Sequence, residues 1–286
     1  MKNSYLKFVA EYARLIKEGK GCCLGGFPSV ARSSISKNAP RALIFSPHPD
    51  DECIVGGLPL RLLRELRMNV INVAVTQGSR KDRQVERLHE LRGACAYLGF
   101  GLIQTAESGL EKINVQTRKQ DPEHWGRSVG TVAEIIKKNK PQVIFLPHAD
   151  DCNTTHTGTF FLVTDALKTL PKSFCCWICA TEFWAPMNDP NLMIEISVAD
   201  LADLVAALSF HEGEVSRNPY HLRLPAWMQD NVRRGGELVG VQGAEPPDFV
   251  FATIYRLQKW MHQGMETAEK PGRFLSCNDS LKSIFG

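Results

Sequence analysis

Two clusters of polar residues carry the types and spacing that hold a metal and move a proton. The first is Pro47-His48-Pro49-Asp50-Asp51-Glu52; the second is Pro147-His148-Ala149-Asp150-Asp151-Cys152-Asn153-Thr154-Thr155-His156. His48 and Asp51 are three residues apart and project to one side if a helix starts there, with Pro49 in its first turn, where a missing N–H costs nothing. His156 adds a second imidazole. Two histidines and one carboxylate leave a coordination position open, the donor set of a catalytic zinc, which would acidify a bound water and polarise a carbonyl. Asp50 points differently and is placed to take a proton from water as general base. Glu52 reads as serving the helix start, where acidic side chains meet the positive end of the macrodipole. The Asp-Asp-Glu run alone could be no more than such a cap; the second cluster weighs against that.

The elements that must position these residues follow from periodicity. Residues 41–46 form a short apolar run suited to a buried parallel strand, and residues 56–66 follow with helical character. The alternation continues with strands at 69–76, 101–105, 142–146 and 173–181 and helices at 84–98, 126–139 and 159–170. This predicts an α/β fold: a Rossmann-like, doubly wound, mostly parallel sheet with helices on both faces. In such sheets ligands bind beyond the carboxyl ends of the strands, where both clusters fall. An amphipathic helix (5–18) and a Gly/Ser/Pro-rich loop (21–39) precede this core. Beyond about residue 187 the rhythm weakens, with a helix at 198–210, an irregular stretch at 219–225 and a strand at 249–257. The predicted organisation is an N-terminal helix and loop (1–39) followed by one catalytic domain (40–286), with a capping part from about 187.

Several of these residues resemble the signature of the PIG-L (LmbE-like) N-acetylglucosaminyl deacetylases. They are Ser46-Pro47-His48-Pro49-Asp50-Asp51-Glu52 with Gly56-Gly57, Thr76-Gln77-Gly78, Arg87-Leu88-His89-Glu90 leading to Leu98-Gly99, and the Asp-rich segment ending at His156. The resemblance spans roughly residues 40–215. It implies a zinc-dependent hydrolase that removes the N-acetyl group from an N-acetylglucosamine-containing small molecule, with zinc on His48, Asp51 and His156 and Asp50 as the base. One departure stands out: where many members carry His-Pro-Asp-His, this chain has Asn153-Thr154-Thr155-His156. Asn153 can donate a hydrogen bond to a developing oxyanion but cannot deliver a proton as a histidinium would. His211, in Ser209-Phe210-His211-Glu212, resembles a family histidine and is a candidate catalytic group; His221 and His262 are further candidates, and any one of the three alone reads better as a core or surface histidine. Arg80, Lys81 and Arg83 follow the second strand, where Arg80 and Arg83 are candidate substrate contacts for sugar hydroxyls or an anionic group, unless the loop is simply solvated. His148, Asp150 and Asp151 are expected to orient the ligating histidines.

Rival readings are weaker. A non-haem iron oxygenase could use His48, Asp50 and His156 as a facial triad, but such sites commonly sit on antiparallel jelly rolls, at odds with this alternation. Fe2+ in the hydrolytic site stays open. A nucleotide-binding module would need Gly-x-Gly-x-x-Gly and positive potential where this chain presents carboxylates. A member of the same fold that only binds sugar, or hydrolyses another amide, is the remaining alternative.

Composition narrows the setting. The 286 residues carry 34 Lys plus Arg against 31 Asp plus Glu, and a net charge of +3 gives no reason to expect a nucleic-acid partner. No apolar run reaches the roughly 18 residues of a membrane span, and the N-terminus lacks a secretory core, so a soluble cytoplasmic protein is expected. A homo-oligomer is compatible with this reading. The nine cysteines are expected to be reduced thiols. Cys176 and Cys179 have zinc-ligand spacing but fall in a strand, where i and i+3 face opposite ways.

Overall fold

The computed structural model describes residues 3–29, 34–243, 245–267 and 272–286. The elements begin with α1 (Tyr5–Gly19), β1 (Arg41–Ser46), α2 (Asp51–Ile54), α3 (Gly57–Arg64), β2 (Asn69–Ala74), α4 (Gln84–Leu98) and β3 (Gly101–Gln104). Then come α5 (Val115–Gln120), α6 (Pro122–Asn139), β4 (Val143–Pro147), α7 (Thr154–Lys168), β5 (Cys176–Thr181), β6 (Leu192–Glu195) and α8 (Val198–Leu208). The chain ends with α9 (Glu212–Val215), α10 (Leu224–Val239), β7 (Ala252–Met261), β8 (Gly264–Thr267), β9 (Arg273–Leu275) and α11 (Lys282–Phe285).

Strands β3-β2-β1-β4-β5 run parallel in that spatial order, and β7 joins β5 antiparallel to carry β6, β9 and β8. The predicted doubly wound, mostly parallel sheet is what forms. Its cause is visible in β1, which is buried on both faces: Ala42 and Ile44 pack with α3, α4 and α8, while Leu43 and Phe45 pack with α6 and α7. Each fully buried leucine of these layers contributes about 1.5–3 kcal/mol of hydrophobic stabilisation. Cys176 and Cys179 lie on opposite faces in separate core clusters, so their spacing holds no ion.

Chain order and strand order part at β1, whose neighbours are β2 on one side and β4 on the other. The gap between the two outgoing connections is the crevice where α/β proteins bind ligands. Both polar clusters emerge there.

Three sequence expectations change in detail. Helix α7 starts at Thr154, five residues before the expected start, because Asn153 caps it by accepting the Thr155 N–H at 2.8 Å. His156 is therefore on the first turn of a helix rather than on a loop. The stretch expected to be irregular at 219–225 is a 3-10 turn over Tyr220–Arg223 running directly into α10, a helix periodicity did not foresee. The strand expected at 249–257 is the longer β7, shifted toward the C-terminus. Among the described residues no helix is long and apolar enough to cross a membrane.

Candidate active site

The loop after β1 is fastened before it turns. The Thr76 N–H and hydroxyl both donate to the Pro47 carbonyl, at 3.2 and 2.7 Å, tying the end of β1 to the end of β2. Pro49 does not enter a helix as expected, because α2 begins only at Asp51. What brings His48 and Asp51 together is instead the Asp51 carboxylate, whose Oδ2 accepts the His48 N–H at 2.8 Å. Asp50, between them, has φ 118°, a backbone region that favours glycine. A non-glycine residue held there stores about 1–3 kcal/mol, and such residues concentrate at functional sites.

His48 Nδ1, Asp51 Oδ2 and His156 Nε2 form a nearly equilateral triangle with sides of 3.2, 3.4 and 3.5 Å. A tetrahedron with metal–ligand distances of about 2.05 Å has edges of about 3.3 Å, so these atoms match three corners around a zinc-sized ion. The charges agree. Against the cost of burial, Asp51 and then Asp151 hold the His156 imidazole above its ordinary pKa, and His156 with His48 holds Asp51 below the usual carboxylate range. Two imidazole nitrogens facing each other at 3.2 Å need a proton or a cation between them. His48 Nδ1, Asp51 and His156 thus fit a divalent metal, and the fourth corner is free of protein donors from this triangle.

Behind the triangle, Asp151 Oδ2 faces His156 Nδ1 at 3.6 Å and accepts the Trp184 N–H at 3.2 Å. His156 is fully buried and meets the Phe183 ring edge-on. Asp151 thus lies on the Nδ1 side of His156, and Nε2 is the nitrogen that looks inward. His148 is buried and bonds the Ala185 carbonyl at 2.9 Å, supporting the 182–185 segment, while Asp150 is exposed.

Asp50 sits in a different network. Burial first, and then the adjacent Asp51 charge, push its carboxyl up to about 7. Tyr220 donates its hydroxyl to Asp50 Oδ2 at 2.5 Å. Glu52 does not cap a helix at the surface. It is completely buried, accepting the Asp50 N–H on one oxygen at 3.0 Å and meeting His211 Nε2 with the other at 2.7 Å. A buried carboxylate requires such partners, and here they lock the Asp50 backbone. His211 is equally buried; against burial, Glu52 holds it above its ordinary pKa. Glu52, Cys53 and His211 also bring one potential ligand atom each within 4.8 Å, but the direct Glu52–His211 hydrogen bond already uses the facing atoms.

The other expected residues scatter. Arg80 is exposed and pairs with Asp82, whereas Arg83 is mostly buried and pairs with Glu214; both line a cavity of about 590 Å³ that reaches His48 and Thr155. Asn153 spends its Oδ1 on the α7 cap. His221 lines a separate apolar groove. His262 lies just past Trp260, which pairs with Cys176 at the amino end of β5, the opposite edge of the sheet from the site. Tyr220 and the role of Glu52 escaped sequence reading. Tyr220 offers no local motif, and the only signal for Glu52 was its adjacency to Asp51.

Residues 43–167, which supply His48, Asp50, Asp51 and His156, match the family model described as GlcNAc-PI de-N-acetylase, PIG-L. That segment, less than half of the chain, is similar to the PIG-L family. No curated protein sequence matches the chain. Solved structures share the fold. N,N'-diacetylchitobiose deacetylase from Pyrococcus horikoshii is 17% identical with a TM-score of 0.54, covering 87% of this chain and 92% of its own. A conserved protein from Thermus thermophilus is 18% identical with a TM-score of 0.55, covering 75% and 92%. GalB, the 4-carboxy-2-hydroxymuconate hydratase from Pseudomonas putida, is 17% identical with a TM-score of 0.57, covering 76% and 95%. The matched segment runs from β1 to the end of α7, so Tyr220, His211 and Glu214 lie outside it.

Proposed function

We propose that this protein is a metal-dependent de-N-acetylase acting on an N-acetylglucosamine-containing small molecule, with zinc, or Fe2+ in its place, on His48, Asp51 and His156. The observation that carries this reading is the triangle of donor atoms beside an unliganded, proton-competent Asp50, all within the matched segment. A divalent ion held there would polarise the amide carbonyl and lower the pKa of water.

The residues then divide the work. Asp50 accepts the proton as the water oxygen attacks the carbonyl carbon, and a carboxyl with a pKa near neutrality can pass that proton to the nitrogen as the C–N bond breaks. The products are acetate and a free amine. Tyr220 holds Asp50 Oδ2, so the acceptor lone pairs of the carboxylate keep one direction. Asn153 keeps its amide N–H donors for the developing oxyanion while its oxygen caps α7. His211, buried against Glu52, acts through the Asp50 backbone rather than on the leaving group. Arg80 and Arg83 stand on the substrate side of the cavity.

The test is metal content by mass spectrometry with acetate release from a panel of N-acetylglucosamine derivatives, on the wild type and His156→Ala. About one metal per chain, lost in the variant together with acetate release, is the expected result. Metal without acetate from any sugar would move the reading to another amide or to sugar binding. A wild type that neither contains nor takes up metal would overturn it.

A further inference from the structure

The cavity that His48 and Thr155 open into has a wall out of charge balance. Arg80, Lys81, Arg83, Arg87, Lys112 and Arg217 line it, against the carboxylates of Glu111 and Glu214. Even with Asp82 and Glu86, which pair with Arg80 and Arg83 from outside the wall, two positive charges remain unmatched. The imbalance has a focus. Arg83, Arg87 and Arg217 all converge on the single carboxylate of Glu214, with Arg83 at 3.0 Å and Arg87 at 3.6 Å. Arg83 and Arg87 are only 15% and 12% exposed, and each keeps a guanidinium nitrogen without a hydrogen-bond partner among the described residues. Three cations gathered on one anion repel one another unless a further anion joins them.

The backbone is shaped to keep them there. Gly78 has φ +79°, and a Cβ on it would lie 2.0 Å from Arg87 Nη1; a Cβ on Gly213 would lie 1.6 Å from Arg83 Nη2. Both guanidinium groups therefore lie against bare backbone on either side of the wall. The three arginines come from the start of α4, its first turn and the segment after α9, so two separate parts of the chain build one cluster.

From this convergence we propose that the cavity holds a phosphate monoester, and that the substrate is an N-acetylamino sugar carrying that phosphate. The proposal rests on the de-N-acetylase reading for the sugar half. A dianionic group matches the surplus of two charges and offers three acceptor oxygens to three guanidinium groups, whereas a single carboxylate matches neither. The cavity, at about 590 Å³, falls in the size range of small-molecule sites and spans from the arginines to His48. The acetamido group would face the donor triangle while Arg87 and Arg217 hold the phosphate.

Calorimetric titration with inorganic phosphate and with N-acetylglucosamine 1-phosphate and 6-phosphate tests this. It is run on the wild type, His156→Ala, chelator-treated wild type, Arg87→Gln and Arg217→Gln, with melting curves to verify folding. The expected result is saturable phosphate binding in the first three, weakened about tenfold or more by either arginine substitution and by added salt. Arg217 is 66% exposed, so its substitution leaves the core intact. Binding that disappears in both His156→Ala and chelated protein would place phosphate on the metal and overturn the proposal, as would binding indifferent to both arginine substitutions or tighter binding of malonate. In the acetate-release assay, phosphate bound as expected without acetate from any sugar, phosphorylated or plain, would sink the de-N-acetylase reading and leave the phosphate site standing. Acetate from plain but not phosphorylated sugars would overturn the assignment of the phosphorylated substrate. Acetate released from plain N-acetylglucosamine by a protein that binds no phosphate would sink this proposal alone.

Discussion

Asp50 and its neighbours divide labour by what each carboxylate touches. Asp51 faces two imidazoles, Glu52 faces His211 and the Asp50 N–H, and Asp50 alone is left with a phenol and a raised pKa. Asp50→Asn is therefore expected to lower acetate release by about 10²–10⁴-fold. Metal content should persist, because the triangle does not include it; loss of metal would reassign Asp50 as a ligand. Tyr220→Phe removes the hydrogen bond to Asp50 but keeps the ring. We expect kcat to fall about tenfold with little change in KM. An unchanged kcat would leave Tyr220 as packing only. His48, Asp50 and Asp51 were legible because they are contiguous and end a recognisable strand. Glu52 does serve the start of α2, accepting the Asp50 N–H, but its burial and its His211 partner were not legible, because a buried acid and an exposed capping acid look alike in sequence. Tyr220 is 170 positions from Asp50, and nothing local marks that meeting.

Helix α7 carries the second half of the site, so its anchoring matters to catalysis. On its far turn Asp165 receives Arg118 of α5 at 2.7 and 3.0 Å and the Trp125 indole of α6 at 3.1 Å. Burial opposes ionisation, yet these donors hold the Asp165 carboxyl below the usual carboxylate range. The sign follows: a depressed folded pKa contributes stability above the unfolded value and loses it as pH falls through the folded one. Wild-type stability should therefore drop below about pH 4, and Asp165→Asn should flatten that part of the profile in urea melts from pH 3 to 7. An equally steep acid limb in the variant would assign the loss to other carboxylates. The start of α7 was hidden because Thr154, Thr155 and Thr157 have low helix propensity, and the cap on Asn153 is what overrides it. Helix α10 was hidden by Pro225 at its first turn and the Gly235-Gly236 pair within it.

Across the whole molecule, the five parallel strands announce themselves by alternating with helices, whereas β6, β7 and β9 do not. Those strands are added antiparallel or by long returns, and no period in the chain encodes which edge they join. Closure at the far end depends on Arg61, only 2% exposed, which bonds the carbonyls of Ser276 and Asp279 at 3.0 and 2.8 Å besides pairing with Glu65. Arg61→Ala leaves the Ser276 and Asp279 carbonyls without their donor and should cost about 1–3 kcal/mol and expose the C-terminal segment to proteolysis; a resistant variant would show that Leu281 and Phe285 suffice. The backbone of Asp50 bears on the same global balance from the opposite side. Its φ of 118° would be relaxed in glycine, and Asp50→Gly also removes a buried charge repelled by Asp51. The melting temperature should rise by about 2 °C while turnover disappears, and a fall would mean that Tyr220 and Glu52 more than offset the strain. Breeding this protein for heat resistance alone would thus reward the one exchange that silences it, so a screen for tougher variants has to score turnover alongside survival.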